Sequence, residues 1–426
     1  MIRFGDLVEQ GVLAIGDGYR ARNEELGIDG PIFLRSAYLQ DCGWVLSEPD
    51  RISHAPQGGF GAKIARLGDT VLTTKGNSLG RLGYVGSEVE GAVYSPHLSY
   101  WRSLLHSRLD RRYLYYWAHS SDAVDQIRAR SQSTDMAPYL SLSDQLNLNI
   151  KLPDIDTQRA VGECLRTLDE RIELNRRIAE TLEAMARGLF KSWFVDFEPV
   201  HARAEGRHTG LPDEIASMFP DNLDENGVPT GWADRADAIG WLVRSPIQPA
   251  DVDPGTPYVG LEHLERGSLI IRAYGQAYQV NSLKSSFKSG DLLFGKLRPY
   301  FNKVAVAPCD GICSSDILVF RPADDVPSVF LYCFFSEPGF VAAASNASSG
   351  TRMPRADWTY MRRLPATLPP PNVRAAFSRV AKPMLDRMLA TAREANTLAA
   401  LRDTLLPRLI TGELRIANAE RQIAAA

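Results

Sequence analysis

The chain lacks several features that would assign it to a particular class of protein. It has no apolar run long enough to cross a membrane and no signal peptide. Its five cysteines are an odd number without disulfide-framework spacing, which predicts a reducing, cytoplasmic location. Positive charge is not in excess either, because 48 Lys and Arg stand against 51 Asp and Glu. Any surface for a polyanion must therefore be a local patch.

Motifs of catalysis and metal binding are also missing. Residues 290–296 match the start of a phosphate-binding loop, but Leu297 replaces the Ser or Thr that binds magnesium, and Pro299 disfavours the helix that must follow. Cys309 and Cys313 have no second pair at zinc spacing, which predicts buried thiols. The seven histidines include no H-E-x-x-H pair. We therefore predict a chain that is not an enzyme and binds no cofactor or metal itself.

The chain contains the same arrangement twice, a β-rich stretch followed by a long helical pattern. A Leu-Pro start opens a long helical pattern at residue 152 and again at residue 368, which is 216 positions later (368 minus 152). A β-rich stretch precedes each start. The length of 426 residues allows two or three domains. This duplication predicts a pseudo-two-fold molecule, a symmetry that suits the grooves of DNA.

The first helical pattern is a strict heptad seam. Its steps alternate between four and three residues at Val161, Leu165, Leu168, Ile172, Asn175, Ala179, Leu182, Ala186, Leu189 and Trp193. Nine of these ten positions are apolar, which is typical of a coiled coil. Asn175 is the polar exception, and such a residue fixes helix register at some cost in stability. Asp156 is the predicted N-cap.

The second helical pattern is looser. Its seam positions are Phe377, Val380, Met384, Met388, Thr391, Ala395, Leu398, Leu401, Leu405 and Leu409. We predict Asn372 as its N-cap, a break or kink at Pro383, and an end marked by Pro407 and Gly412. Two core helices of separate domains are the alternative. An antiparallel pair roughly 50 Å long fits the period better, at about 1.5 Å per residue.

The β-rich modules share a layout. Each has a Gly-Asp turn, a strand, a basic tip and a return strand, over residues 68–86 in the first and 290–307 in the second. An aromatic helix follows in each, at 113–117 and 329–335, and then a polar loop, at 130–134 and 346–352. Because the tips differ between the modules, we expect them to read two different targets.

The tips and loops are the candidate DNA-binding surface. Arg can pair with guanine, Asn with adenine, and Lys neutralises phosphate. A solvated hairpin is the alternative for either tip alone, and recurrence in both modules favours DNA. The candidates are Lys75, Asn77, Ser78, Arg81, Ser133 and Thr134 in the first module, and Lys296, Arg298, Tyr300, Asn302, Lys303, Ser349, Thr351, Arg352 and Arg355 in the second.

The helix motifs resemble the DNA-specificity subunit of type I restriction–modification systems. The stretches that carry the resemblance are TQR at 157–159, LDERIELNR at 168–176, LEAMA at 182–186, FKSWFVDF at 190–197, GVPTGW at 227–232 and LRDTLLPRLITGEL at 401–414. The resemblance covers essentially the whole chain. It is weak in the two modules, as expected if each reads its own sequence.

This resemblance implies a non-catalytic subunit in which each module reads one half of a bipartite target in double-stranded DNA. It further implies that two adenine methyltransferase subunits bind the helices and that restriction subunits join them. S-adenosylmethionine, ATP and magnesium would then belong to those partners. The spacer and partner-binding positions are Leu168, Ile172, Asn175, Leu182, Leu189, Leu398, Leu405 and Leu409.

The expected fold is α+β, with two globular α/β target-recognition domains separated by two long antiparallel coiled-coil helices. The expected domains are a first recognition domain at 1–155, a first helix at 156–197, a linker at 198–230, a second recognition domain at 231–367, a second helix at 368–415 and a tail at 416–426. One rival is a duplicated coiled-coil scaffold that binds only proteins. A fused restriction–methylation enzyme is another, but the chain lacks the N/D-P-P-Y/F methylation motif.

Overall fold

The structure is a computed structural model that describes residues 1–40, 43–54, 59–131, 138–234, 238–346 and 354–424. The chain forms two compact units. The first unit comprises Met1–Arg171 and Leu398–Ala426, and the second comprises Ile172–Thr397. Both contain helices and strands, which confirms the predicted α+β class.

The first unit begins with a β-rich module. Its elements are β1 (Ile2–Arg3), α1 (Phe4–Glu9), β2 (Leu13–Asp17), β3 (Leu26–Leu34), β4 (Leu39–Gln40), β5 (Gly43–Trp44), β6 (Arg51–Ile52), β7 (Thr70–Thr73), β8 (Leu82–Tyr84), β9 (Val93–Tyr94), β10 (Leu98–Ser103), α2 (Arg111–Ala118), α3 (Ser121–Ser131), α4 (Leu142–Leu146), β11 (Asn149–Ile150) and α5 (Ile155–Phe194). Of α5, residues 155–171 belong to this unit.

A four-stranded antiparallel sheet in the order β2-β10-β7-β8 forms the centre of this module. Its strands β7 and β10 are buried along their whole length. Phe4 packs edge-on against Trp101 of β10 and also contacts Trp117 of α2. A second sheet, β6-β3-β9, contains a parallel pair between β3 and β9. The aromatic helix predicted at 113–117 is α2, and the predicted hairpin is β7–β8.

The second unit repeats much of this order. Its elements are α6 (Glu198–Ala204), α7 (Asp213–Ala216), β12 (Ala233–Asp234), β13 (Gly240–Val243), β14 (Pro246–Ile247), β15 (Pro257–Val259), β16 (Gly275–Gln276), β17 (Lys284–Phe287), β18 (Leu292–Gly295), β19 (Val304–Val306), β20 (Gly311–Cys313), β21 (Ile317–Pro322), α8 (Ser328–Phe335), α9 (Pro338–Asn346), α10 (Trp358–Met361), β22 (Thr367–Leu368) and α11 (Pro371–Thr411). The chain then returns to the first unit for the end of α11 and for α12 (Ile416–Ala424).

The central sheet of the second unit has the order β13-β21-β18-β19, which has the same antiparallel connectivity as β2-β10-β7-β8. Its other large sheet, β14-β17-β20-β15-β16, again contains one parallel pair, between β15 and β20. The two units therefore have closely similar internal topologies.

The first long helix, α5, is continuous over 40 residues. Of its ten predicted seam positions, eight are buried and two, Leu182 and Leu189, are half-buried. The N-cap prediction was wrong by two residues. The side chain of Asp154, not Asp156, accepts a hydrogen bond from the backbone N–H of Thr157 at 2.9 Å. That bond also lowers the pKa of Asp154 below its usual range.

The second long helix, α11, differs from its prediction at two points. It starts at Pro371, a residue suited to a first helical position because it has no N–H to leave unpaired. Asn372 therefore lies inside the helix and is not its N-cap. Pro383 does not end the helix, because it lies on the exposed face, where water can reach the unpaired carbonyl of the preceding turn. Gly412, with φ +78°, follows its last residue as predicted.

The predicted seam of α11 is also wrong in its first turns. Val380 is 38% exposed, whereas Ala381 is fully buried and Leu385 is 2% exposed. The buried positions here advance in steps of four residues, so the heptad phase holds only from Met388 onward.

Inside the first unit, Asp169 of α5 joins three elements. Its carboxylate accepts hydrogen bonds from Tyr116 of α2 at 2.7 Å and from Arg402 of α11 at 2.8 Å. Lys151, just before α5, donates to the carbonyl of Thr411 at the end of α11. Because the contact partners advance along α5 while they go back along α11, the two helix segments in this unit run antiparallel.

In the second unit, the end of α5 packs on the start of α11. Phe194 lies 5.1 Å from Phe377, measured between ring centroids. The segment predicted as a linker, 198–230, contains α6 and α7 and contributes Val200 and Phe219 to the same core. The predicted tail similarly contains α12, in which Ala419 is buried. Neither segment had enough apolar periodicity to reveal this folding in the sequence.

Among the described residues, no single helix has the length and apolar character needed to span a membrane. The pair α8 and α9 passes that test together, but the two helices are bent by 57°. Every residue of α8 from Val329 to Phe335 is buried in the core of the second unit.

Asn175 offers a direct test of the α5 seam. It is 8% exposed, and its Nδ2 has no hydrogen-bond partner among the described residues. A buried donor without a partner costs about 1–3 kcal/mol. We expect Asn175→Leu to leave the free energy of unfolding unchanged or to raise it by about 1 kcal/mol in denaturant titrations.

Gln158 on the same helix is the matched control. It is 1% exposed, and its amide bonds the N–H of Asp110 and the carbonyls of Arg108 and Pro153. Gln158→Met should therefore destabilise the chain. A loss of several kcal/mol in Asn175→Leu would instead place Asn175 in a buried polar network that the chain needs.

Candidate nucleic-acid interface

The tip of the first unit is the connection between β7 and β8, a short 3₁₀ turn over Gly76–Ser78. Thr73 organises it, because the Thr73 hydroxyl donates to the carbonyl of Ser78 and accepts from the N–H of Arg81. Lys75 and Asn77 are exposed and Ser78 is half-buried. Among the described residues, neither Lys75 nor Asn77 has a side-chain hydrogen bond or ion pair.

The tip of the second unit connects β18 and β19 through a 3₁₀ turn over Pro299–Phe301. Arg298 and Asn302 flank this turn, and both have left-handed backbone conformations, with φ of 51° and 45°. Arg298 is exposed and Tyr300 is 53% exposed. Lys296 is half-buried and has no side-chain hydrogen bond or ion pair among the described residues, although its charge helps to lower the pKa of Asp357.

Each tip is hydrogen-bonded to the segment that follows its predicted polar loop in the chain. In the first unit, Gly76 donates to the carbonyl of Pro138, and Leu140 donates to that of Thr74. In the second unit, Arg298 donates to the carbonyl of Pro354, and Ala356 donates to that of Lys296. The candidates Ser133, Thr134, Ser349, Thr351 and Arg352 lie outside the described residues.

The registers of the β7–β8 and β18–β19 hairpins define which tip residues of the two units correspond. Thr70 pairs with Tyr84 as Leu292 pairs with Val306, so corresponding residues differ by a constant 222 positions. Lys296 thus corresponds to Thr74 and not to Lys75. The remaining pairs are Lys75 with Leu297, Gly76 with Arg298, Asn77 with Pro299, Ser78 with Tyr300, Gly80 with Asn302 and Arg81 with Lys303.

The position that is cationic in both tips has a structural role. Arg81 donates to the carbonyl of Leu39 at 2.9 Å, and Lys303 donates to the carbonyl of Leu261 at 2.6 Å. Burial, together with nearby Arg266, lowers the pKa of Lys303. Both residues were predicted to contact DNA, but their charged groups are bonded to backbone carbonyls of their own unit.

Two further candidates in the second unit also have partners within the chain. Asn302 donates from Nδ2 to the carbonyl of Ser336 at 3.1 Å, so its amide faces the protein. Arg355 lies 3.5 Å from Asp316 in an ion pair. Short sequence patterns cannot show such partners, because they lie more than thirty positions away along the chain.

Sequence reasoning missed one cation next to the second tip. Arg266 is exposed, and its guanidinium stacks 3.8 Å from the ring centroid of Phe301. The N–H of Gly267 donates to the carbonyl of Asn302, which holds this segment against the tip. No local motif marks Arg266, because its neighbours in the fold are far from it in sequence.

An ion pair to a buried aspartate anchors the tip-bearing strands in each unit. In the first unit, Arg102 of β10 pairs through two nitrogens with Asp69, directly before β7. In the second unit, Arg321 of β21 pairs in the same way with Asp291, directly before β18. The predicted Gly-Asp turns are therefore the fixed ends of the tip-bearing strands.

The helix positions assigned to partner binding are mostly interior. Leu168, Ile172, Leu398, Leu405 and Leu409 are each at most 4% exposed. Their side chains stabilise the helices and are not available to another subunit. Leu174 and Met185, which are 57% and 51% exposed, lie on the open face of α5.

In the part of the chain that the structure describes, metal-ligating side chains do not cluster at these surfaces. Among the described residues, no group of three His, Cys, Asp or Glu side chains could hold a metal ion. Cys313 is fully buried as predicted, and burial raises its thiol pKa to about 12. Cys309, in contrast, is half-buried.

Comparison with known proteins gives relatives of one kind. No protein-family model matches the chain. It is 24% identical to the type I restriction enzyme HindI specificity subunit of Haemophilus influenzae, over 90% of this chain and 94% of the relative. It is 26% identical to the EcoDI specificity subunit of Escherichia coli, over 55% and 54%, and 22% identical to the MjaIX specificity subunit of Methanocaldococcus jannaschii, over 71% and 69%.

The fold has a counterpart among solved structures. The type I restriction–modification S subunit from M. genitalium superposes with a TM-score of 0.57 at 13% identity, over 96% of this chain and 95% of that chain. Over nearly its whole length the chain is thus similar to the specificity subunits of type I restriction enzymes, which confirms the resemblance predicted from its long-helix motifs.

Proposed function

We propose that this chain is the sequence-specific DNA-recognition subunit of a type I restriction–modification complex and that each module reads one half of a bipartite target. On this proposal the chain is not an enzyme. S-adenosylmethionine, ATP and magnesium are used by its partner subunits, which are two adenine methyltransferases and the restriction subunits.

The comparison of the two tips is the observation that carries the proposal. Both are built on the same strand pair, the same contact with a neighbouring segment and the same half-buried cation, at Arg81 and Lys303. The exposed positions around that shared frame differ in charge and chemistry. Such a pattern fits a duplicated scaffold whose two copies recognise different base sequences, because only the side chains that face the ligand need to change.

We propose Lys75, Asn77 and Ser78 as the reading surface of the first unit. For the second unit we propose Lys296, Arg298 and Tyr300, together with Arg266. The second tip has more positive charge, which attracts the phosphate backbone, and an exposed aromatic ring beside it.

The long helices are proposed to set the spacing of the half-sites and to bind the methyltransferases. The 40 residues of α5 correspond to about 60 Å at ~1.5 Å per residue, which exceeds one turn of DNA at about 34 Å. Because the seam of α5 is interior, we assign methyltransferase docking to its open face around Leu174 and Met185.

A protein-binding scaffold without DNA readout is the rival function. Phosphate contacts release counterions, so DNA recognition predicts duplex binding that weakens as salt rises. A complex of this chain with its methyltransferase subunits that shows no salt-dependent duplex binding would favour the scaffold.

Exchange of one module provides the sharpest test. Residues 1–150 are replaced by those of a relative with a different target, and the methylated sequences in the host genome are then determined. We expect one half of the bipartite target to change and the other half, with the spacing, to stay the same, because α5 and the second module are untouched.

The reciprocal exchange of residues 231–367 is the control and should change only the other half. If either exchange altered both halves, or if both left the methylated sequence unchanged, the assignment of one half-site to each module would be wrong.

A further inference from the structure

The backbone of Arg298 is unusual in the second tip. Its φ of 51° and ψ of 62° are left-handed, a conformation that is unfavourable for an L-residue other than glycine because Cβ approaches the following carbonyl oxygen. Asn302, with φ 45°, shares this conformation, but Asn adopts it more readily through local hydrogen bonds of its side chain.

The first tip has the same two backbone turns and builds both from glycine. Gly76, with φ +79°, corresponds to Arg298, and Gly80, with φ +83°, corresponds to Asn302. A Cβ placed on Gly76 would meet nothing within 4 Å. Glycine is therefore favoured there by the backbone conformation and not by lack of space, and the second unit has an arginine in its place.

Nothing among the described residues compensates for this strain. The guanidinium of Arg298 has no hydrogen bond or ion pair in the part of the chain that the structure describes, and the residue is exposed. Its backbone N–H bonds the carbonyl of Pro354, but Gly76 makes the equivalent bond to Pro138 without a side chain. The arginine side chain is thus not needed to build the tip.

We infer that Arg298 is a specificity-determining residue that reads a guanine in the half-site of the second module. This rests on the proposed function. A charge for the phosphate backbone is already supplied from unstrained positions, by Lys296 and by Arg266. A bidentate pair with the O6 and N7 atoms of guanine requires a planar guanidinium that extends from a fixed Cα. A strained backbone that fixes this Cα is therefore consistent with a role in base recognition.

The test uses the full chain assembled with its methyltransferase subunits. The probes are a duplex with the sequence that the wild-type complex methylates and a set of duplexes with single base-pair changes across the second half-site. The variants are Arg298→Gly, Arg298→Lys and, as a control for a phosphate contact, Lys296→Ala.

We expect Arg298→Gly to leave the thermal unfolding midpoint unchanged or higher, because the strain is relieved. Its affinity for the target duplex should fall about 10-fold to 100-fold, with discrimination lost at one G·C pair. Arg298→Lys should lose the same discrimination, since an ammonium cannot form the two-pronged pair. Lys296→Ala should weaken all duplexes alike and reduce the salt dependence.

Two results would overturn the inference. One is Arg298→Lys with full discrimination, which would make Arg298 a phosphate contact only. The other is a lower unfolding midpoint in Arg298→Gly, which would show that the arginine stabilises the tip. If the wild-type complex itself does not discriminate among the duplexes, the proposed function fails as a whole, which is a separate and recognisable outcome.

Discussion

Replacing Asp69 with alanine is expected to lower the stability of the first unit by about 3–5 kcal/mol, because it leaves a buried charge without its partner. Arg102 is only 7% exposed and pairs with Asp69 at 2.6 and 2.7 Å. Asp69 also accepts hydrogen bonds from the hydroxyl of Tyr94 and the N–H of Arg66. Without Asp69, the guanidinium of Arg102 keeps, among the described residues, two backbone carbonyls as hydrogen-bond acceptors and the ring of Tyr100, 4.6 Å away, but no opposite charge.

The second unit contains the matched control. Asp291 pairs with Arg321 in the same geometry, but Arg321 is 34% exposed, so water can solvate its charge when Asp291 is removed. We expect Asp291→Ala to cost about 1.5–3 kcal/mol, the range for a hydrogen bond to a charged group.

Hydrogen exchange is the appropriate measurement, because a chain with two units need not unfold in one step. Amides of β7 and β10 should lose protection in Asp69→Ala while those of β18 and β21 keep it. Equal losses for the two aspartate variants would show that burial of the arginine does not determine the cost.

The sequence predicted most accurately those elements that depend on local periodicity. The α5 seam follows from a repeat that continues over 33 positions, from Val161 to Trp193 (193 minus 161, plus one). The tip-bearing hairpins follow from alternating strands that begin at Gly-Asp turns. Such patterns depend only on residues that are close to one another in the sequence, so a single sequence contains enough information to locate them.

The sequence predicted less accurately the burial and the contacts of side chains whose partners lie far away along the chain. Val380 is apolar and falls at a heptad position, but the surrounding core buries Ala381 instead. The sequence predicts Arg81 and Lys303 as DNA contacts, but in the fold the charged group of each donates a hydrogen bond to a backbone carbonyl. Arg266 shows the opposite case, because it joins the candidate surface only through a stacking partner 35 positions later (301 minus 266).

The prediction with the largest effect on the second unit concerns Phe377, whose burial depends on partners that are distant in the sequence. Phe377 is fully buried, and ring contacts with Phe190, Trp193, Phe194 and Phe330 surround it. These rings belong to the end of α5, the start of α11 and α8. Phe377→Ala would leave a large cavity among them, at a cost of about 3–5 kcal/mol.

Val380 is the control on the same helix, three residues later. The heptad pattern predicts that both side chains are buried, whereas in the fold Val380 is 38% exposed. Val380→Ala should therefore change stability by less than about 0.5 kcal/mol. Hydrogen exchange in Phe377→Ala should increase at residues 190–194 and 373–385 and stay unchanged in β7 and β10. If Val380→Ala were as costly as Phe377→Ala, the first turns of α11 would follow the heptad phase after all, and the core described for this unit would be wrong at that point.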